Sequence, residues 1–327
     1  MSTQSLLRTF VRSAAAAAIV VFSSSSALAA YSQIVFFGDS LSDTGNLYAM
    51  TGIPASPPYA NGRFSNGPLW TEDFAAALGH PGDAVATSAG GKNFALAGAM
   101  MTDTSQYGIP AQLAGYFGAT GNLADPNALY VILGGANDIK YFLSNGMNAS
   151  MASPYVIAAA DAVVGMAQQL YLAGARNILV GDLPDLGLTP LANAYGIAGD
   201  ATASTSDFNG ELLLRLAQAE AVDAGLDVDI LDLFGLLNKV ESSPAAFGFT
   251  NVSAPCYDGT LGNNDGTECL NPEQYLFWDA FHPSAAAHVF MADAALSAVP
   301  EPGVLVLVIV AIAGLAGSRL RRGQGLV

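Results

Sequence analysis

A serine follows directly after a short apolar run near the start of the chain. Residues 34–38 read Ile-Val-Phe-Phe-Gly, and Asp39 and Ser40 come next. An apolar run of this length that ends at turn residues predicts a buried strand of a parallel sheet. Ligands bind beyond the carboxyl ends of such strands, so this position would suit Ser40 as a nucleophile. From this stretch alone, a serine that only satisfies the hydrogen bonds of a turn is the alternative.

The chain has three histidines, and one of them has an acid three residues earlier, since Asp279 precedes His282. On a turn, this spacing lets the carboxylate reach the imidazole Nδ1 and fix its tautomer, as a catalytic base requires. We expect His80 at a helix end or in a loop, and His288 on the surface or in the packing of the last helix. An ordinary turn pair that caps the last helix is the alternative for Asp279 and His282.

Two further residues could stabilise negative charge on a substrate oxygen. Gly98 can bring its backbone N–H close to a bound oxygen because it lacks a side chain. Asn137 can donate from its side-chain amide, and nucleophilic hydrolysis needs such donors as an oxyanion hole. Both residues lie where predicted strands end, as Ser40 does. Turn chemistry, which is common in a sequence such as residues 134–138, is the alternative.

The hydrophobic pattern predicts strands and helices that alternate from residue 34 to about residue 233. The predicted strands are residues 34–38, 93–99, 128–133, 177–180 and 228–231. The predicted helices are residues 68–78, 109–117, 154–173, 206–224 and 284–298. Such alternation is typical of β-α-β units, in which helices cover both faces of a sheet. We therefore expect one α/β domain over residues 31–298, a three-layer α/β/α sandwich with a mostly parallel sheet.

Two longer segments, residues 47–67 and 242–277, show neither a helical nor a strand period. Loops of such length in compact domains are usually functional or disordered. In the first segment, Tyr48, Tyr59 and Phe64 could line a substrate pocket, or they could pack the loop itself.

Taken together, these pieces resemble the GDSL, or SGNH, family of esterases and lipases. Four sequence blocks carry the resemblance, in this order: Gly38-Asp39-Ser40-Leu41, Gly98 within residues 93–99, Asn137 in Gly-Ala-Asn-Asp, and Asp279 with His282. The resemblance covers residues 33–298, and the Ser-Asp-Thr-Gly-Asn sequence at residues 42–46 is similar to the lecithinase/hemolysin and plant-lipase branch. The chain has no Gly-x-Ser-x-Gly elbow, which disfavours the common α/β-hydrolase fold.

This resemblance implies a flavodoxin-like SGNH fold and a serine esterase or lipase that acts on lipid or small acyl esters. Ser40 would be the nucleophile, His282 the base and Asp279 the acid that orients it. The backbone N–H groups of Ser40 and Gly98 and the Asn137 amide would form the oxyanion hole. An acyl-enzyme would form on Ser40, and water or another alcohol would remove it, with no metal or cofactor.

Three alternative functions stay open at this point. An acyltransferase would use the same residues with an alcohol as acceptor. A polysaccharide O-deacetylase would take an acylated carbohydrate as its ester substrate. A non-catalytic surface protein could keep the fold and bind an extracellular matrix, although the complete set of catalytic residue types argues against it.

The first 29 residues have the layout of a secretory signal peptide. Arg8 and Arg12 precede an apolar stretch, and Ala27-Leu28-Ala29 provides a small-residue cleavage site. We expect cleavage after Ala29, and an uncleaved anchor is the alternative.

The last residues, 300–327, combine three features of a sorting signal. Pro300-Glu301-Pro302 is followed by an apolar run over residues 304–316 and then by a basic end. A helix over that run would rise ~20 Å, less than the ~30 Å hydrocarbon core of a bilayer. This order closely resembles the PEP-CTERM signal, which implies a Gram-negative bacterium, an exosortase-type processing enzyme, transient membrane association through the C-terminal signal, and export to the cell surface or extracellular matrix. A plain membrane anchor is the alternative.

The charge and the cysteines set further limits. The formal net charge is −16 at pH 7, which argues against nucleic acid and anionic membrane surfaces as partners.

The chain has two cysteines, Cys256 and Cys269, and in an exported protein we expect them to form a disulfide. Two unpaired thiols are the alternative. The acids of this region, Asp258, Asp265 and Glu268, do not fit the spacing of a calcium loop.

Overall fold

A four-stranded parallel sheet forms the centre of the structure, a computed structural model that describes residues 31–299. The strands lie side by side in chain order: β1 (Ile34–Gly38), β2 (Leu129–Leu133), β3 (Asn177–Gly181) and β4 (Val228–Leu231). The first two are buried along their whole length, as expected for strands covered on both faces. The predicted signal peptide over residues 1–29 and the predicted sorting signal over residues 300–327 lie outside the described residues.

Helices cover both faces of this sheet, so the predicted three-layer α/β/α arrangement is confirmed. They are α1 (Asn46–Thr51), α2 (Trp70–Ala77), α3 (Ile109–Thr120), α4 (Ala136–Ser144), α5 (Ala149–Ala173), α6 (Pro190–Ala194), α7 (Ala198–Val222), α8 (Leu233–Ser242) and α9 (Ala285–Ala298). Val35 and Phe37 of β1 point into the core formed with α3, α5 and α7. Phe36 points to the opposite face, where its ring packs edge-on against Trp70 and Phe74 of α2.

The segment predicted as a strand over residues 93–99 is not a regular strand. It runs beside β1 and makes two ladder-like bonds, from Phe94 N to Phe36 O at 2.8 Å and from Leu96 N to Gly38 O at 3.0 Å. On its other side, the Asn46 amide donates to the carbonyl oxygens of residues 93 and 95, both at 2.8 Å. On this side the backbone pairs at Asn93 only, with Val85 O and Thr87 N, and the Asn46 side chain satisfies Ala95 O, so no regular ladder forms there.

The two longest helices begin earlier than the sequence predicted. Helix α5 starts at Ala149 rather than Pro154, because the Asn148 side chain caps it by accepting from Met151 N. Helix α7 starts at Ala198 rather than residue 206. Helix α5 is long and apolar enough to cross a membrane by length and composition. Its buried face instead packs in the main core against α7.

The two segments without a period contain short elements that were not predicted. Residues 242–277 include a two-stranded parallel pair, β5 (Asn251–Pro255) and β6 (Tyr275–Phe277). Helices α1, α4, α6 and α8 were also not predicted. They are short, so their apolar period covers too few residues to separate from loop sequence. Both β6 and α8 bear on the functional site.

Candidate active site

Ser40 lies at the carboxyl end of β1, where the chain turns sharply. Gly38 is required there, because a Cβ atom at this position would lie 2.5 Å from the carbonyl oxygen of Leu133 in β2. The turn is closed by Asp39, whose Oδ1 accepts from Leu41 N at 3.0 Å and whose backbone oxygen accepts from Asp43 N at 2.9 Å. Burial raises the pKa of Asp39 to about 6. These bonds present the Ser40 hydroxyl above the end of the sheet.

The structure brings Ser40, His282 and Asp279 into one chain of hydrogen bonds. The Ser40 Oγ lies 2.9 Å from His282 Nε2, and His282 Nδ1 lies 2.7 Å from Asp279 Oδ2. All three residues are nearly buried, with exposed fractions of 5%, 5% and 6%. A serine, an imidazole and a carboxylate in this order can activate the serine oxygen as a nucleophile.

The carboxylate of Asp279 is held by its own turn. Its Oδ1 accepts from the backbone N–H groups of Phe281 at 2.8 Å and His282 at 2.7 Å. Burial alone would raise the pKa of this carboxyl, but the charge of His282 and the hydrogen bonds from residues 281 and 282 hold the pKa below its usual range. The carboxylate therefore stays ionised beside the imidazole.

A hydrogen bond ties Asn137 to the turn that carries Gly98. Gly98 has φ of 82°, a left-handed conformation that favours glycine. Asn137 lies in the first turn of α4, and its Nδ2 donates to Ala99 O at 3.1 Å, which ties it to the Gly98 turn. Within residues 31–299, the backbone N–H groups of Ser40 and Gly98 donate to no acceptor. Both N–H groups and the second amide hydrogen of Asn137 are therefore available to a bound oxygen.

Two buried carboxylates that the sequence analysis did not single out fix these turns. Asp43 accepts from the backbone N–H of residues 45, 46 and 47, and also from Ala97 N at 2.9 Å. Asp138 accepts from Met101 N at 2.8 Å and from Thr102 at its backbone N and its Oγ1. Burial raises the pKa of both carboxyls, and the hydrogen bonds oppose the rise. The loop that carries Gly98 is thus bound at both ends.

An apolar cleft, partly open to solvent, begins at Ser40. Among residues 31–299, the side chains that line this cleft are apolar except for those of Asp39, Ser40 and Thr189. The walls come from α8, β6 and α9, and include Leu233, Leu237, Val240, Phe277, Ala287 and Phe290. A cleft with this apolar lining suits an apolar group of a small ligand.

Comparison with known proteins identifies the family. Residues 34–295 match the sequence profile of the family described as GDSL-like Lipase/Acylhydrolase. The chain belongs to the GDSL lipase family. Membership places it among enzymes that act on ester bonds, as the resemblance implied.

Several curated proteins resemble this GDSL family member along most of its length. The phosphatidylcholine-sterol acyltransferase of Aeromonas hydrophila is 29% identical over 312 residues, which cover 81% of this chain and 89% of the relative. Esterase EstA of Pseudomonas aeruginosa is 30% identical over 86% of this chain and 49% of its own length. The chain thus spans about half the length of EstA. The crystal structure of phospholipase A1 from Streptomyces albidoflavus NA297 aligns with a TM-score of 0.44 and 18% identity, covering 83% of this chain and all of that chain.

The other two histidines of the GDSL protein have separate partners. His80 lies at the turn after α2, where its Nδ1 is 3.4 Å from Asp83 Oδ2. His288 is fully buried in α9, and its Nδ1 accepts from Trp70 N at 3.2 Å. Burial, followed by the charge of His282, lowers the pKa of His288 to about 3, so it is neutral at working pH. Of the two positions expected for His288, the structure shows the one in the packing of the last helix and not the one on the surface.

The disulfide expected between Cys256 and Cys269 is present in the structure. Among residues 31–299, no three metal-ligating side chains are grouped to hold an ion. Two of the acids in the disulfide loop bond their own loop, since Asp258 accepts from Thr267 N and Asp265 from Thr260 N.

The aromatic residues of the 47–67 segment do not line the cleft. Tyr48 is 38% exposed, and Phe64 packs against the His282 ring with centroids 5.1 Å apart. Tyr59 donates its hydroxyl to Asp279 Oδ2 at 2.7 Å. No local sequence signal could have paired these two residues, which lie 220 positions apart.

Proposed function

We propose that the protein is an exported serine esterase that cleaves carboxylic esters with an apolar acyl chain through an acyl-enzyme on Ser40. The observation that carries this proposal is the buried chain of hydrogen bonds from Ser40 Oγ through His282 to Asp279. Family membership supports the ester bond as the target. The apolar cleft beside Ser40 supports the nature of the acyl group.

In the proposed reaction, His282 Nε2 takes the hydroxyl proton as Ser40 Oγ attacks the ester carbonyl carbon. The carbonyl oxygen becomes an oxyanion, which accepts from Ser40 N, Gly98 N and the Asn137 amide. The C–O bond of the ester then breaks, and the leaving alcohol takes the proton from His282. The acyl group stays on Ser40 until water, activated by His282 in the same way, releases it as an acid.

The cleft favours an aliphatic acyl chain over an acetyl group. An acetyl group on Ser40 would leave the apolar walls of α8 and α9 without a ligand. Each CH₂ that the cleft buries should contribute about 0.8 kcal/mol to binding. If half of this binding free energy is expressed in the transition state, two added carbons raise kcat/KM several-fold. If all of it is expressed there, the increase is about 15-fold. The polysaccharide O-deacetylase is therefore the less favoured alternative.

A chain-length series of p-nitrophenyl esters tests this proposal. We expect kcat/KM to rise from acetate to butanoate and beyond, and Ser40→Ala to abolish turnover at every length. Leu237→Phe narrows the cleft and should move the optimum to shorter chains. Leu213→Phe is the matched control, because Leu213 is 45% exposed on α7 and lies outside the cleft lining. Acetate as the best substrate would refute the apolar-chain assignment and favour a deacetylase.

Acyl transfer is the second candidate function. The Aeromonas hydrophila relative that matches 81% of this chain is an acyltransferase by name. The same acyl-enzyme would react with an alcohol in place of water, so no additional catalytic group is needed. Adding a primary alcohol to the ester assay and measuring the acid and the new ester separates the two functions. Ester formed in excess of acid at low alcohol concentration would establish the transferase.

Export and processing belong to the same proposal. We propose a mature protein that begins at Ala30, with a C-terminal signal that associates transiently with the membrane and is removed by an exosortase-type enzyme. The motifs over residues 1–29 and 300–327 support this. N-terminal sequencing and the intact mass of exported protein test it. Exported protein that still carried Arg319, Arg321 and Arg322 would favour a plain anchor.

A further inference from the structure

The carboxylate of Asp279 has one donor that comes from neither its own turn nor the imidazole. Its Oδ1 accepts from Phe281 N and His282 N, and His282 Nδ1 lies 2.7 Å from Oδ2 and 3.0 Å from Oδ1. The remaining donor is the Tyr59 hydroxyl, 2.7 Å from Oδ2. Of the two carboxylate oxygens, Oδ2 is the one nearer to His282 Nδ1, so Tyr59 acts at the point where the acid meets the base.

We infer that Tyr59 is a positioning residue for catalysis, whose hydroxyl fixes Asp279 Oδ2 and thereby the direction in which His282 faces Ser40. The inference rests on the proposed function, because it presumes that Ser40 and His282 react. Tyr59 touches Asp279 and no reacting atom, so it acts through the acid rather than on the substrate.

Tyr59 is itself held rigidly. It is 2% exposed, and its ring packs edge-on against Trp278 and Tyr257, with centroids 6.2 and 5.7 Å away. Tyr257 and Trp278 stack on each other at 5.8 Å, and Tyr257 N donates to Trp278 O at 2.7 Å. The three aromatic rings pack against one another and hold the phenol with its hydroxyl on Asp279, the residue that follows Trp278. The hydroxyl is thus preorganised for Asp279.

The charges are also suited to this role. Burial, followed by the negative charge of Asp279, raises the pKa of Tyr59 well above its usual range. The phenol therefore remains a neutral donor at working pH. A hydroxyl that donates to an ionised carboxylate makes one of the stronger hydrogen bonds in proteins. Tyr59 can hold Asp279 without contributing a charge that would compete with the imidazolium formed during the reaction.

Tyr59→Phe removes this one hydrogen bond and keeps the ring in the cluster. Freed from Tyr59, Oδ2 can move, and the imidazole loses part of its alignment with Ser40 Oγ. We expect kcat to fall about 10-fold, a factor that corresponds to 1.4 kcal/mol, with KM unchanged. A residue that only packs the loop would lower the melting temperature and leave kcat per folded molecule as it was.

Tyr257→Phe provides the matched control. Tyr257 lies in the same aromatic cluster, but its hydroxyl donates to Asn263 O at 3.0 Å, accepts from Gly266 N at 3.3 Å and makes no hydrogen bond to Asp279. Both variants lose a hydroxyl group next to the same rings, and Tyr257→Phe loses at least as many hydrogen bonds as Tyr59→Phe. Only Tyr59→Phe should lower kcat, and only Tyr59→Phe should shift the low-field proton resonance of the His282 Nδ1–H bond.

The test measures kcat and KM on a p-nitrophenyl ester for both single variants, and for Tyr59→Phe in an Asp279→Ala background. The expected result is a 10-fold loss in the wild-type background and no further loss where Asp279 is absent. Equal kcat values for Tyr59→Phe and wild type, or equal losses in both backgrounds, would overturn the positioning role. Ser40→Ala, assayed in parallel, separates the proposed function from the role of Tyr59. If Ser40→Ala kept full activity, the proposed function would fail. If Ser40→Ala were inactive and Tyr59→Phe fully active, the Tyr59 inference alone would be overturned.

Discussion

Opening the Cys256–Cys269 disulfide should lower the stability of the protein without unfolding it at 25 °C. The two cysteines are 13 positions apart, so the bridge closes a loop of modest length. By the chain-entropy relation, a loop of this size stabilises the folded state by about 3 kcal/mol. Domains of ordinary stability have about 5–15 kcal/mol, so most of the molecules stay folded after reduction.

The expected change in Tm on reduction of the disulfide follows from the number of folded residues. About 270 folded residues unfold with an entropy of roughly 0.6 kcal/mol per kelvin, so a loss of 3 kcal/mol lowers Tm by about 5 °C. The catalytic turn should survive, because Cys256 N donates to Phe277 O and Tyr257 N to Trp278 O, and neither bond depends on the sulfur atoms. We expect kcat at 25 °C to stay within about 2-fold of the oxidised enzyme.

The assay compares Tm and kcat before and after treatment with a phosphine reductant, with thiol titration to show that two thiols have formed. The variant with both Cys256→Ser and Cys269→Ser is the control, since its Tm should match the reduced enzyme and not respond to reductant. An unchanged Tm after two thiols appear would refute the stabilisation argument. Two thiols in exported protein before any reduction would refute the disulfide itself.

Three further predictions concern single side chains. Asn137→Ala should lower kcat by about 100- to 1000-fold in steady-state assays with little change in KM, because one oxyanion donor is lost; an unchanged kcat would remove Asn137 from the oxyanion hole. Asp182, which accepts from the backbone N–H of Leu233 and Phe234 at the start of α8, has its pKa raised by burial to about 7. Since the folded pKa exceeds the unfolded value, the free energy of unfolding falls as pH rises from about 4 to 7. This loss reaches up to about 4 kcal/mol at pH 8, and Asp182→Asn should remove it, as measured by urea unfolding. An identical pH dependence of stability in the variant would contradict this prediction. His288→Ala leaves Trp70 N without its acceptor and should lower stability by about 2–4 kcal/mol while kcat of the folded enzyme stays near wild type, whereas a lost kcat would implicate His288 in the reaction.

The parts of the site that sequence could predict are those encoded locally. Ser40 follows an apolar run that ends at a glycine, and Asp279 lies three residues before His282. A residue at a strand end can be placed from sequence because parallel strands bring their carboxyl ends to one edge of the sheet. A short spacing such as that of Asp279 and His282 likewise fixes which two side chains can meet on one turn. The family resemblance added Gly98 and Asn137 as predicted oxyanion donors, and the structure ties Asn137 to the Gly98 turn.

The parts that sequence did not reveal depend on contacts between distant segments. Tyr59 meets Asp279 across 220 positions, and Asp43 reaches Ala97 from another loop. The cleft walls come in part from α8 and β6. Helix α8 has apolar residues at helical spacing, but over only ten residues, and β6 is three residues long, so neither was predicted. Side chains such as Asn46, which donates to two carbonyl oxygens of the 93–99 segment, also decide where a strand ends, and composition does not show this.

Labelling of Ser40 tests the central claim most directly. An alkyl fluorophosphonate reacts with an activated serine in place of an ester and stops at the covalent step, so peptide mapping reports which residue was the nucleophile. We predict one label per molecule, on Ser40, lost in Ser40→Ala and strongly slowed in His282→Ala, with a parallel loss of esterase activity. Activity that persists after Ser40 is fully labelled, or a label on another serine, would contradict the proposed acyl-enzyme mechanism.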